Sequence, residues 1–290
     1  MIEANMSEAN LHGASLRRTC LDQANLTKAK LDWANLTEAI LNNSNLSEAD
    51  LEGASLNMAY MWNADLSGAV FEVKLGSLPN LPSIITARNL SSMTFKESPH
   101  ALVELREAFK KSGHRTKERE ITFAIEHSKR TKAWNRGISG KIESVFKLIL
   151  FELTCQYGMS PGRPLWVLGL LILIFTFPYF VVLRMNRKDG IWRVWSADRM
   201  RKDLGKGEPK KPLHLTIPSA LLMGFYFSIL SAFHIGWRDL NVGSWIVRMQ
   251  LREYALRATG WVRFVSGFQS LISVYLAALW VLTYFGRPFE

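Results

Sequence analysis

An apolar residue recurs at every fifth position from Met6 to Phe71 without a slip, passing through Leu11, Leu16 and Leu21 to Met61 and Leu66. Two positions before each stands a small residue, which is Ala except where Thr19 and Ser44 replace it. A spacing of two puts both residues on one side of an extended segment. A period of five then demands a corner before the next segment, and four such sides close a square. A helix does not fit, because apolar groups every five residues spiral around a 3.6-residue helix and leave no continuous buried face. At four units per coil, the fourteen units make three and a half coils, a column ~17 Å tall at ~4.8 Å per coil.

This pattern resembles the pentapeptide-repeat family, whose right-handed quadrilateral β-helix turns the central Leu and the preceding small residue inward. The resemblance covers residues 1–73, about a quarter of the chain. It implies a solenoid whose end coils need covering. Because the repeat begins at Met1, the first coil is expected either to dock a protein partner or to continue from sequence upstream. Some members of the family mimic DNA and bind topoisomerases. Residues 1–74 carry ten Asp/Glu against five Lys/Arg, a mildly acidic balance on a short column, so that role is not expected, nor is a nucleic-acid partner.

Beyond the repeat, residues 74–97 are interrupted by Pro and Ser and read as a linker. Ser98 then stands as an N-cap with Pro99 at the first helical position, and Leu102, Leu105 and Phe109 supply an apolar stripe. Gly113 separates this helix from a charged one over 116–134, so residues 98–137 read as a helical hairpin that covers the last coil and carries no chemistry. A further helix over 140–156 lines up Ile142, Val145, Phe146, Ile149 and Leu153 on one face, suited to a membrane interface.

Three stretches, 164–183, 212–237 and 264–286, lack Asp, Glu, Lys and Arg. Each reaches the roughly 20 residues that crossing ~30 Å of hydrocarbon requires, so the chain reads as an integral, multi-pass membrane protein with the lipid bilayer as its first partner. The formal net charge of +11 therefore does not point to a soluble nucleic-acid binder. Cys20 and Cys155 lie in separate regions and form no disulfide framework. No phosphate-binding glycine loop, nucleophile elbow, metal-ligand spacing or paired catalytic carboxylates occur, so neither an enzyme nor a metal or other cofactor is expected. No cleavable signal is visible ahead of the repeat, so the amino-terminal domain is expected in the cytoplasm.

Residues 225–239 resemble the pore helix and filter of the two-transmembrane potassium-channel pore. Tyr226, Phe227 and Ser228 match its aromatic-aromatic-Ser stretch. His234, Ile235, Gly236, Trp237, Arg238 and Asp239 stand where that family has Thr-x-Gly-Tyr-Gly-Asp. The resemblance implies an α-helical transmembrane pore-like domain over 138–290: a span at 164–183, a re-entrant or spanning segment at 215–237, and a last span at 264–286 with a bend at Gly267. It also implies a homo-oligomer, a tetramer in that family, in a bacterial inner membrane. The filter is degenerate. A working filter replaces the ion's hydration shell with backbone carbonyls and the Thr hydroxyl. Arg238 occupies the place of a Gly whose backbone conformation a side chain tolerates poorly, and His234 replaces the Thr. Ordinary potassium selectivity is therefore not expected, and the two residues read either as a ring of charge or as a polar pair that holds the loop.

Between this motif and the last span, Val247, Leu251, Tyr254, Ala258 and Trp261 alternate by four and three, with Arg248, Arg252, Arg257 and Arg263 supplying charge. That pattern predicts an amphipathic basic helix over 244–262 on anionic headgroups. The basic stretch 184–211 leaves topology open. A re-entrant arrangement keeps both termini cytoplasmic but sets this stretch outside, whereas three full spans hold it inside and send the repeat domain out. Two function classes remain: an ion pathway of altered selectivity, and a non-conducting membrane scaffold that binds a partner through its β-helix.

Overall fold

The computed structural model describes residues 2–184, 191–195, 216–233, 254–258 and 260–285, with backbone alone for 192–195 and 254–258. It divides into two compact units, one reaching to Ser160 and one from Pro161 to Gly286.

In the first unit, residues 2–73 wind into coils of twenty residues. Each side contributes a single bridging residue rather than an extended strand, and successive coils run parallel: Asn5 bridges Asn25, which bridges Asn45, which bridges Asp65. Twenty is four times five, so four sides per coil follow directly from the register. From Leu21 onward the inward Leu and Ala residues of the column are fully buried. The two departures from Ala satisfy themselves locally, since Thr19 Oγ1 donates to Leu16 O (2.5 Å) and Ser44 Oγ to Leu41 O (2.7 Å).

Corners fall at every fifth residue from Glu3 to Gly68, two past the apolar position, and are left-handed at eleven non-glycine positions with φ of 54–61° and at Gly13, Gly53 and Gly68. That conformation costs an L-residue about 1 kcal/mol. Stacking offsets it, because the corner N–H is bonded to the next coil, as Lys28 N is to Ser47 O (2.9 Å). Within the five-residue repeat, three Asn-Leu-Thr/Ser matches to a glycosylation sequon lie in this grammar: Asn25, Asn35 and Asn45 each accept the N–H two residues on.

Gly53 is a corner with a second constraint. A Cβ there would lie 2.8–2.9 Å from the Trp33 ring one coil below. Since eleven other corners carry side chains at the same φ, the ring and not the backbone angle is the obstacle. Gly53→Ala is expected to lower stability by about 1–3 kcal/mol, as overpacking does. In the Trp33→Ala background the same change should cost far less; equal urea-midpoint shifts in both backgrounds would refute the contact.

Residues 74–97 are not a linker. They continue the column as an irregular coil, with Arg88 and Thr94 bridging Asp65 and Val70. Where the swollen spacing takes a carbonyl out of register, a hydroxyl replaces it: Ser77 Oγ accepts Leu56 N, Ser83 Oγ accepts Met61 N, Thr86 Oγ1 accepts Asn63 N and Ser92 Oγ accepts Gly68 N, at 2.9–3.2 Å. The edge of the last regular coil is thereby paired without a five-residue period.

Helices α1 (His100–Lys111) and α2 (Arg115–Trp134) form the expected hairpin. Leu102, Leu105, Phe109, Ile121 and Ile125 extend the same core as the column. Ser98 does not cap α1 with its side chain as expected; its backbone N–H is bonded to Glu72. Helix α3 (Ile138–Lys147) follows Gly137, whose φ is 94°, and continues through a wide turn at Leu148–Glu152 to Leu153–Cys155. It therefore starts two residues before the expected 140.

The second unit holds α4 (Arg163–Arg184), β1 (Ile191–Trp195), α5 (Ile217–Ala232), β2 (Tyr254–Ala258) and α6 (Trp261–Phe285). By length and composition α4 and α6 are able to cross a membrane, with 22 and 25 residues. At ~1.5 Å per residue they measure ~33 and ~37 Å, against ~24 Å for the sixteen-residue, equally apolar α5. The basic helix expected over 244–262 is corrected where the structure describes it. Residues 254–258 are a strand, paired antiparallel with β1 from Ile191 opposite Ala258 to Trp195 opposite Tyr254. A short run that fits a helical period fits a strand almost as well, and here the ladder with a β-branched and aromatic partner decides. Trp261 and Val262 belong to α6, which starts three residues earlier than the expected span.

Candidate functional site

The pore-like segment can be followed through α5. Tyr226, Phe227 and Ser228 lie in that helix, with Phe227 and Ser228 buried. Phe227 meets the edge of Tyr179 from α4, ring centres 4.8 Å apart. Gly224 lets α5 approach α4 closely, because a Cβ would lie 3.1 Å from Phe180 N and 3.2 Å from Thr176 O. His234, Ile235, Gly236, Trp237, Arg238 and Asp239 lie outside the described residues, as do Arg248 and Arg252. Arg257 is in β2 opposite Trp192, and Arg263 is exposed in the first turn of α6. Gly267 stands within α6 with open space where a Cβ would be.

What the structure adds is a polar clasp joining all three helices. Tyr179 Oη on α4 donates to Gln269 Oε1 on α6 (2.7 Å). Gln269 Nε2 donates to Ser228 Oγ (2.8 Å) and Ser228 O (3.0 Å) on α5, and Ser228 Oγ donates back to Ile172 O on α4 (2.7 Å). Ser266 and Ser231 join α6 to α5 one turn away, Oγ to Oγ at 2.9 Å. Gln269 and Ser228 are fully buried and Tyr179 is 1% exposed, so every donor and acceptor of this chain depends on another helix. In an apolar surrounding each such bond contributes about 0.6–2 kcal/mol, and together they hold three helices in one register. Sequence reasoning found Ser228 but missed Tyr179 and Gln269. A lone Gln inside an uncharged 23-residue run, 264–286, was the available signal.

Beside the clasp, Tyr179, Val182 and Leu183 near the end of α4 share one cluster with Val262 and Val265 at the start of α6 and with Ile191 of β1. The end of the first long helix and the beginning of the last thus lie together, tied by the β1–β2 ladder.

The description "Pentapeptide repeats" matches residues 4–43 and 44–72, in eight copies. A pentapeptide repeat protein, Rfr23, from the cyanobacterium Cyanothece 51142 is similar at 39% identity over 26% of this chain and 52% of that one, with a TM-score of 0.25. A pentapeptide repeat protein of the Arabidopsis thaliana thylakoid lumen is 27% identical over 38% of this chain and 73% of that one, TM-score 0.28. HetL from Nostoc sp. strain PCC 7120 is 30% identical over 33% of this chain and 48% of that one, TM-score 0.20. The chain thus spans about half the length of the first and third of these. No curated protein matches the sequence.

Proposed function

Starting from a chain that carries pentapeptide repeats and two helices of membrane-crossing length, we propose that it is an inner-membrane protein whose second unit is a two-span, pore-like hairpin, conducting ions with altered selectivity. The repeat column is its cytoplasmic domain, a right-handed quadrilateral β-helix, and the pore is completed by a homo-oligomer. The observation that carries this reading is the pairing of β1 with β2. If the end of α4 and the start of α6 lie at one face of the bilayer, the chain between them enters and leaves on that face. Helix α5, too short at ~24 Å to cross ~30 Å, then serves as a re-entrant helix. A reporter fused within 196–211 is expected on the non-cytoplasmic side; a cytoplasmic signal there would sink the arrangement.

Conduction is tested by flux from proteoliposomes. Arg238 brings positive charge to the filter frame, joined by His234 in mild acid, so anion flux is expected to exceed potassium flux and Arg238→Gly to move the balance toward cations. A second reading, the non-conducting scaffold, is favoured by one face of the column. Of its four outer rows only one is apolar, Cys20 beneath Ile40 beneath Tyr60, flanked by Met58 and Trp62. Absence of flux for every ion and pH tried would leave that reading.

A further inference from the structure

The helical segment Ile138–Cys155 has two faces of opposite character. One is locked to α2: Gly140 lies where a Cβ would be 2.0 Å from Ala133 O, Ser144 Oγ donates to Arg130 O (2.9 Å), and Arg130 Nε holds Glu152 at 2.6 Å. The other presents Ile138, Ile142, Val145, Phe146, Ile149 and Leu153 to the outside, from 41% exposed at Val145 to 81% at Ile138. Spacings of four, three, one, three and four make these one unbroken stripe. Single exposed apolar residues need no explanation, but a continuous stripe of six marks a surface that is covered in use.

Two observations say what covers it. Cys155 and Arg163, the first residue of a helix able to cross a bilayer, are separated by only seven residues, at most ~29 Å of extended chain. The stripe is therefore tethered to the membrane entry point. Its other end, beside Ile138, carries an interfacial set: exposed Trp134, with Lys141 Nζ 5.9 Å from its ring, and exposed Arg136, while Glu143 is neutralised by Lys147 at 2.7 Å. Aromatic and basic side chains bordering an apolar helical face suit an anionic headgroup layer.

We propose that the Ile138–Leu153 stripe lies in the bilayer interface, so that the repeat column is held at the membrane through α2 rather than carried on a free tether. This rests on the membrane reading of α4 and α6. The test uses the full chain with Cys20→Ser and Cys155→Ala, and a single Phe146→Cys labelled with an environment-sensitive fluorophore. It is reconstituted in phosphatidylcholine–phosphatidylglycerol vesicles, and Lys28→Cys on the column serves as reference. The expected result is a blue-shifted label at position 146, quenched several-fold more strongly than the reference by lipids spin-labelled near the top of the acyl chain. Equal quenching of both positions by aqueous iodide, or self-quenching between labelled copies, would overturn the proposal in protein that resists carbonate extraction. Extraction by carbonate would instead overturn the membrane reading and the proposal with it.

Discussion

Replacing Gly140 by alanine is expected to detach α3 from α2. In an exposed helix the same change would be favourable by about 1 kcal/mol. Here the new Cβ would stand 2.0 Å from Ala133 O and 3.1 Å from both Ala133 C and Arg136 Cβ. The nearest of these atoms is backbone and cannot swing aside: Ala133 O also accepts Arg136 N at 3.0 Å to close the end of α2. The clash therefore decides the sign, with a cost of about 2–3 kcal/mol or local undocking, whichever is smaller. Limited proteolysis across 135–160 during a urea titration of the detergent-solubilised chain reads this directly. Gly162→Ala, which has open space around its Cβ, is the control. Equal behaviour of the two variants would mean that the close approach is absent.

Glu72→Gln is expected to loosen the junction between the column and α1. The Glu72 carboxylate is 7% exposed and accepts three backbone N–H groups: Lys96 and Glu97 on Oε2 (2.8 and 2.9 Å) and Ser98 on Oε1 (2.8 Å). Burial pulls its pKa up, but these N–H groups and the neighbouring His100 outweigh burial and hold it below the ordinary carboxylate value. A glutamine amide satisfies one oxygen's partners but points its NH2 at the third donor. The expected loss is about 2–4 kcal/mol, the range for one or two hydrogen bonds to a buried charge. The pH dependence has a definite sign. A carboxyl whose folded pKa is depressed contributes stability above its unfolded pKa and loses it as pH falls through the folded value. Wild type should therefore weaken in acid below the usual Glu range, and Glu72→Gln should lack that part of the slope. Urea midpoints of both proteins across that range check it, and parallel curves would refute the role of the charge.

The same corner illustrates where legibility stopped. Residues 74–97 lost the five-residue period, and a linker was the natural reading. The column nevertheless continues, because Ser77, Ser83, Thr86 and Ser92 accept the N–H groups that a regular coil would have bonded to carbonyls. A hydroxyl on a residue two to five places further along can do this only when the chain happens to bend back, and no local pattern announces the bend. The strand at Tyr254–Ala258 failed for a related reason: its partner lies some sixty residues away, and its own composition fits a helix as well.

The second unit divides similarly. Apolar runs marked α4, α5 and α6 closely, since length and absence of charge are properties of the chain alone. The clasp of Tyr179, Gln269 and Ser228 was invisible except as an isolated Gln, because hydrogen bonding among three helices depends on their register.

The sequence by itself determined the four-sided column: a period of five with small residues two places before each apolar centre leaves no other way to bury both and pair the backbone. It also determined the two long helices. Only the tertiary structure decided how the column ends, which face of α3 stays uncovered, and that the end of α4 meets the start of α6. Those features come from contacts between residues far apart in the chain, where packing and backbone pairing, rather than local preference, select one arrangement.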